Sequence, residues 1–386
     1  MAHRESEDAL PVSAAPTYLE FFAGGGLARI GLGAEWRCLF ANDVDAGKCA
    51  AYRANFAADE IVEGDIAGLR LRDLPKERAD LAWASFPCQD LSLAGGRNGL
   101  AGERSGLFFE FMRHMDSLKR DGRAPRTLAI ENVVGLLTSK GGADFARVAE
   151  AIAGLGYGVS ALVLNASSFT PQSRPRLFVF GFSTDAAPPF GMSPSESDPA
   201  CPPALRRVVE ALPHAVARAW RWLAPRPSGR ANLRLADILE PAPDWSRELG
   251  DKALASMSAR QRAAIDEIAR AGSRAIGAAF FRIRIERGVK VQRLEARFDG
   301  LAGCLRTPAG GSSRQLLLLV EKNVVLARRL SPREAARLMG VPDDYILPGG
   351  TTAALKLMGD GVAPPVVRWI AGEIIEPALR AQAAAA

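Results

Sequence analysis

The chain has only three histidines and five cysteines among its 386 residues. So few histidines leave little room for a histidine-built metal site or a histidine-based catalytic triad. The cysteines, Cys38, Cys49, Cys88, Cys201 and Cys304, are odd in number, scattered, and never spaced CxxC. That pattern argues against a disulfide framework or a zinc site and for a reducing, cytoplasmic compartment. The N-terminus carries Arg4, Glu5, Glu7 and Asp8 and lacks the apolar core of a signal peptide or a membrane span. Residues 1–16 read as a flexible tail, as does the closing alanine run. The phosphate-cradling GxGxxG pattern is also missing, because the glycine turn at 24–26 is followed by Arg29 where a glycine would be needed. A dinucleotide ligand is therefore disfavoured.

What is present is a globular composition, 48% hydrophobic and 24% charged, in a length that suits two domains. The net charge of +6 is unevenly spread: residues 201–330 hold 24 Lys+Arg against 12 Asp+Glu, so the remainder is mildly acidic. A basic block of that length is the usual footprint of nucleic-acid binding, although a solvated arginine-rich surface looks the same in composition.

The most informative stretch is Leu81–Gly95, LAWASFPCQDLSLAG. Its apolar start predicts a buried strand over Leu81–Ala84 that stops at Pro87. The turn would then present Cys88 at the carboxyl edge of a sheet, where open α/β sheets bind ligands. An inert buried thiol is the commoner fate of a lone cysteine, so the neighbours must decide.

They are these. A strand over Thr17–Phe22 runs into a glycine loop, Ala23–Gly26, and a helix from Leu27. A second strand, Arg37–Ala41, ends at Asn42-Asp43, about twenty residues after the glycine turn. An acid there suits a pair of ribose hydroxyls, and Asp43 or Asp45 equally suits a helix N-cap. Asp65, in Glu63–Ile66, is either an acceptor for an amino group or an ordinary turn cap. The glycine-rich loop Leu93–Ser105 has the character of a lid. A helix over Gly106–Lys119 precedes a strand, Thr127–Ile130, that ends in Glu131-Asn132-Val133, which places a carboxyl group at the same edge as Cys88. Strands over Val159–Leu164 and Leu177–Phe182 flank Pro171–Arg176, where Arg174 and Arg176 are expected to diverge, one into the pocket and the other onto phosphate or backbone. Residues 184–203 read as a linker. Beyond it lie a helix, Ser258–Ala271, and strands over Phe280–Glu286 and Val291–Phe298. Ser331, Pro332 and Glu334 sign a helix start, with a stop at Gly340, and an apolar helix from Val362 is expected to pack back on the first domain.

In this constellation, FFAGGG, FPCQ, ENV, QSRPR, RLSPREAARLMGVPDDY and MGDGVAPPVV, the chain resembles the DNA (cytosine-5)-methyltransferases of the bacterial modification type. The resemblance covers about Tyr18–Phe182 and Leu305–Ile370. It implies a Rossmann-like S-adenosylmethionine-dependent sheet and a smaller, irregular target-recognition domain. The implied divisions are a tail at 1–16, a catalytic domain at 17–185, the recognition domain at 186–312 and a returning segment at 313–386. It also implies the cofactor S-adenosyl-L-methionine, held by Phe22, Ala23, Gly24, Gly26, Asp43, Val44, Asp65, Ile66, Pro87 and Asp360. Cys88 would be the nucleophile at cytosine C6, Glu131 would bind the base edge, Arg176 would reach the base carbonyl, and Arg174 would lie beside nucleophile or phosphate. No metal is implied. The implied partner is double-stranded DNA, with a cognate restriction endonuclease as a functional companion and a monomer as the acting form in the bacterial cytosol. The chain departs from the family pattern at Glu20, Leu27, Val44 and Asp360. Methylation of a tRNA cytosine is a same-chemistry alternative, and a non-catalytic DNA-binding regulator is one of another class.

Overall fold

The computed structural model describes residues 15–56, 59–86, 106–184, 186, 190–191, 194–195, 197–226, 229, 232–241, 244–272, 274–286, 288–307 and 314–383. Its main body is a seven-stranded sheet. The strands are β1 (Thr17–Phe21), β2 (Arg37–Asp43), β3 (Ile61–Glu63), β4 (Leu81–Ala84), β5 (Thr127–Val133), β6 (Gly158–Asn165) and β7 (Pro175–Phe182), in the order β3-β2-β1-β4-β5-β7-β6. All pairings are parallel except those of β7, which runs antiparallel to both β5 and β6. Strand order reverses between β1 and β4, and such a switch point opens a crevice at the carboxyl edge. Every residue of β1 and of β4 is buried, as expected of parallel strands covered on both faces.

Two strands run further than their apolar cores suggest. β2 continues through Asn42 and Asp43 because Val62 and Glu63 pair with them, and β5 continues through Glu131–Val133 because β7 supplies Phe178, Leu177 and Arg176 opposite. Asp43 and Glu131 therefore sit inside strands, with backbones fixed by ladders, rather than in the turns that follow.

Helices α1 (Leu27–Leu32), α2 (Ala46–Phe56), α3 (Leu107–Arg120) and α4 (Ala143–Gly154) flank the sheet. In α3 the buried residues Phe108, Phe111, Met112, Met115 and Leu118 recur at helical spacing and form one apolar stripe.

Next come β8 (Phe190–Gly191), which pairs with β9 (Trp222–Leu223), and helices α5 (Pro203–Glu210) and α6 (His214–Ala219), whose Leu205 and Val216 bury into the main core, while α7 (Arg247–Ala255) and α8 (Ala259–Arg270) belong to the second body. It is dominated by an antiparallel sheet of β10 (Ala275–Glu286), β11 (Val289–Arg297), β12 (Leu316–Glu321) and β13 (Val324–Arg329), in the order β11-β10-β12-β13. Its core is Met257, Ile265, Leu294, Leu316, Leu318 and Val320. This sheet crosses the boundary expected at 312, since β12 pairs with β10 from Ala275↔Val320 to Ala279↔Leu316. The hairpin after residue 312 thus completes the second sheet. It turns through Lys322 and Asn323, at φ 49° and 61°, the left-handed pair that a two-residue hairpin turn demands.

The chain returns through α9 (Pro332–Met339), α10 (Thr351–Asp360), α11 (Pro364–Ile370) and α12 (Glu376–Ala383). The capping box at α9 is formed by Ser331 and Glu334, and Gly340 ends the helix at φ 76°. Glu334 also pairs with Arg328 of β13 and accepts from the Glu240 amide. Burial pushes its carboxyl up, but these partners outweigh that and hold it below the ordinary range. α11 lies so close on α1 that a Cβ at Gly31 would stand 2.5 Å from Val367 Cβ, and a π turn at Ala371–Ile375 separates α11 from α12.

Candidate active site

Glu131 and Arg176 meet at the sheet edge. The β5–β7 register sets Glu131 opposite Phe178 and Val133 opposite Arg176, so the two are diagonal neighbours on one face. Arg176 Nε lies 3.0 Å from Glu131 Oε1, and both side chains are largely buried. In the parallel partner, Ala84 pairs with Ile130, so β4 delivers Ser85 and Phe86 to the level of Glu131 and Asn132. Asn132 Nδ2 reaches the Phe86 carbonyl at 3.5 Å. Pro87, Cys88 and the loop Leu93–Ser105 lie outside the described residues.

Arg174 corrects one expectation and decides another in favour of backbone over phosphate. Residues two apart in extended backbone share a face, so Arg174 and Arg176 do not diverge: both approach Cys304 Sγ, at 3.3 Å from Arg174 Nη1 and 3.9 Å from Arg176 Nη1. Nor is Arg174 placed for phosphate. It is only 3% exposed and donates to the carbonyls of Leu305 (3.0 Å), Gly359 (2.9 Å) and Gly361 (2.7 Å). Leu305 lies between β11 and β12, and Gly359 and Gly361 lie at the end of α10, so Arg174 ties both segments to the entrance of β7. Nearby, Asp360 pairs with Lys48 Nζ at 2.9 Å and accepts from Thr307, which links the C-terminal motif to α2.

The other half of the edge is the glycine loop after β1. Asp43 accepts from the Gly24 amide (2.8 Å) and the Asp45 amide (2.9 Å), while Asp45 caps α2 through Gly47 and Lys48. Asp45 is thus the cap, and Asp43 shapes the loop. Phe22 has φ 58°, a left-handed conformation that a bulky residue adopts only under constraint and that clusters at ligand sites. Ala23 is buried, and Gly26 abuts Phe56, 2.3 Å from where its Cβ would stand. Asp65 caps a short turn through the Ala67 amide at 2.9 Å, so the cap reading is the one observed. Ile66 is buried in the core, its carbonyl bonded by His114 Nε2 at 2.8 Å.

A family model for C-5 cytosine-specific DNA methylases matches residues 17–376. The chain belongs to that family. It is 29% identical over 360 residues to the type II methyltransferase M.NlaX of Neisseria lactamica, covering 92% of this chain and 95% of that one. It is 27% identical over 361 residues to M1.ScrFI of Lactococcus lactis subsp. cremoris, covering 93% and 77%. In fold it is similar to the Dnmt2 methyltransferase of S. pombe, with TM-score 0.57 at 17% identity over 92% and 96% of the chains. A DNMT2 mutant from Spodoptera frugiperda gives TM-score 0.60 at 15% identity over 92% and 98%.

The methylase transfers a methyl group from S-adenosylmethionine to C5 of cytosine in DNA. Its glycine loop fits that cofactor. Gly24, at φ 57°, faces space in which, among the described residues, an added Cβ would meet only Lys48 Cδ, at 4.0 Å. Val44 stands beside Asp43 with 70% of its surface exposed, an apolar side chain available to a flat ring. Beneath the loop Glu20 is 1% exposed, and its Oε2 has no hydrogen-bond partner among the described residues. Burial pushes this carboxyl up to about 8 against the opposing pull of Arg29.

Spacing alone did not single out Glu20, Asn132 or Gln172 for a role. Gln172 is fully buried and donates to the Leu338 carbonyl while accepting from the Leu305 amide, both at 3.0 Å. The signal for Gln172 was its place in QSRPR. Cys304 left no signal, because nothing in its neighbourhood repeats a motif.

Proposed function

We propose that Cys88 is the nucleophile and that Glu131 and Arg176 form the base pocket it serves. The observation that carries this reading is the Glu131–Arg176 pair, standing level with the strand end that leads to Cys88. Cytosine C5 is a weak nucleophile. Addition of the Cys88 thiolate to C6 breaks the aromaticity and makes C5 enamine-like. Glu131, oriented by Arg176, holds the N3 and exocyclic-amine edge and stabilises the charge that develops there. Arg176 also reaches towards the base carbonyl. Phe22, Ala23, Gly24, Gly26, Asp43 and Val44 would hold S-adenosylmethionine, whose sulfonium would give its methyl group to C5 and leave as the neutral thioether. Loss of the C5 proton then expels the Cys88 thiolate and restores the ring. A base inside a duplex is out of reach, so the target is flipped out.

The basic second body is the DNA-reading surface, and its charge and its sheet, separate from the catalytic one, support that role. The methylase acts as a monomer on DNA in the bacterial cytosol and is paired with a cognate restriction endonuclease, as the type II names of its relatives suggest. Among the described residues no helix is long and apolar enough to cross a membrane.

A duplex carrying 5-fluorocytosine tests the nucleophile, because fluorine at C5 blocks the final elimination. With S-adenosylmethionine present, a stable protein–DNA adduct forms in the wild type and is absent from Cys88→Ser. An equal adduct in that variant would remove Cys88 from the mechanism.

A further inference from the structure

The glycine loop after β1 is gripped from the other end of the chain. Tyr345 is buried, and its hydroxyl donates to the Gly25 carbonyl at 2.8 Å, a contact across 320 residues of sequence. Gly25 is fitted to that grip. An added Cβ there would stand 2.4 Å from Tyr345 Oη and 2.9 Å from both methyl carbons of Leu357 in α10. The left-handed residues of the loop are Phe22, Gly24 and Gly26, so the bare Cα of Gly25 answers the phenol rather than a backbone need.

The phenol is itself held in place. Arg333 of α9 donates to the carbonyls of Tyr345 (2.9 Å) and Pro342 (3.2 Å). Next in the chain, Ile346 exchanges two bonds with the Asn55 side chain of α2: its amide donates to Oδ1 at 2.7 Å and its carbonyl accepts from Nδ2 at 2.9 Å. α9 is anchored in turn by Arg337, which pairs with Asp343 at 2.7 Å and donates to the Ile238 carbonyl at 3.2 Å. The segment from Pro342 to Ile346 is therefore fixed on both sides of Tyr345.

We propose that Tyr345 is a positioning residue for cofactor binding: by holding the Gly25 carbonyl it keeps the glycine loop in the shape that receives S-adenosylmethionine. The entry of the loop is fixed from its own half of the sheet, by the Ala23 amide on the Asn42 carbonyl (2.9 Å) and the Gly24 amide on Asp43 (2.8 Å). Tyr345 fixes its exit into α1. Without the hydroxyl, part of the binding free energy would go into ordering the loop. The proposal rests on the reading that this loop holds the cofactor.

Isothermal titration of S-adenosylmethionine into the full chain, without DNA, tests it. Tyr345→Phe keeps the ring and loses the bond, and is expected to raise the Kd roughly tenfold. In steady-state methylation the loss should fall on the KM for S-adenosylmethionine and not on kcat. An unchanged Kd in Tyr345→Phe, even with a lowered Tm, would overturn the proposal, because a merely structural contact moves stability alone. A paired variant reads the contact itself. Gly25→Ala displaces the hydroxyl, so adding Tyr345→Phe should bring no further loss of affinity, and losses that simply add would overturn the proposal. Asp43→Asn disturbs the loop from its other side and separates the proposal from the reading beneath it. Weaker binding in Asp43→Asn but not in Tyr345→Phe would leave the loop as the cofactor site and remove Tyr345 from its positioning. Unchanged binding in both would remove the two together.

Discussion

Arg176 Nε and Glu131 Oε1 lie 3.0 Å apart across neighbouring antiparallel strands. The pairing is directional: one carboxylate oxygen is committed to a fixed donor, and this orients the whole group towards the proposed base pocket. Glu131→Gln is therefore expected to lower kcat by roughly 100- to 1000-fold, the usual loss when one charge-stabilising group is removed. DNA affinity should change little. Arg176→Lys should not rescue function, because an ammonium cannot reproduce the Nε contact while also facing Cys304. Single-turnover methylation and a binding isotherm separate the two effects. A Glu131→Gln enzyme with near-normal kcat would contradict the role given to the pair.

Arg174 is a structural tie in this account. Arg174→Ala removes donors from the carbonyls of Leu305, Gly359 and Gly361. Leaving such acceptors buried costs about 1–3 kcal/mol each, so a loss of at least about 3 kcal/mol is expected in denaturant unfolding. A variant as stable as wild type, but weak in DNA binding, would restore the phosphate reading that the contacts displace.

Much of the fold was legible because its elements follow local rules. The Leu81–Ala84 strand, the α3 stripe and the Ser331–Glu334 cap each carry their own signal within a few residues. The strand extensions to Asp43 and Glu131 were not legible, since they depend on partners distant in sequence. Leu316–Arg329 did carry a signal: two apolar runs separated by Lys322-Asn323 are a hairpin pattern. Its membership in the second sheet depends on pairing with β10, which no local window contains. The residue types of the site were visible in the motifs, but the approach of Cys304 to the arginine pair required the fold. The opposite-face expectation for Arg174 and Arg176 was an error of period, corrected by the alternation of an extended chain.

Glu20 makes stability depend on pH. Its carboxyl is raised from 4.5 to about 8 in the folded chain, chiefly by burial. The folded state therefore holds this proton more tightly than the unfolded state. The resulting stabilisation is fully present below about pH 4.5 and is lost as pH rises through about 8. Glu20→Gln should flatten the fall in Tm across that window, with its gain over wild type largest at the alkaline end. Parallel Tm–pH curves for the two proteins would show that Glu20 does not titrate as described.

Residues 201–330, with 24 Lys+Arg against 12 Asp+Glu, should make DNA binding strongly salt-dependent. Counterion release predicts a linear fall of log K with log salt, at a slope of roughly −0.9 for each phosphate contacted. Fluorescence anisotropy between low and moderate salt checks this. A flat response would remove the second body from the phosphate contacts.

The most direct measurement of the central claim is bisulfite sequencing of plasmid DNA from cells expressing the chain, beside a Cys88→Ser control. The account predicts cytosines protected from conversion in one short recurring context in the first sample and none in the second. Unprotected DNA from cells that contain the folded, S-adenosylmethionine-binding protein, or equal protection in the control, would contradict it.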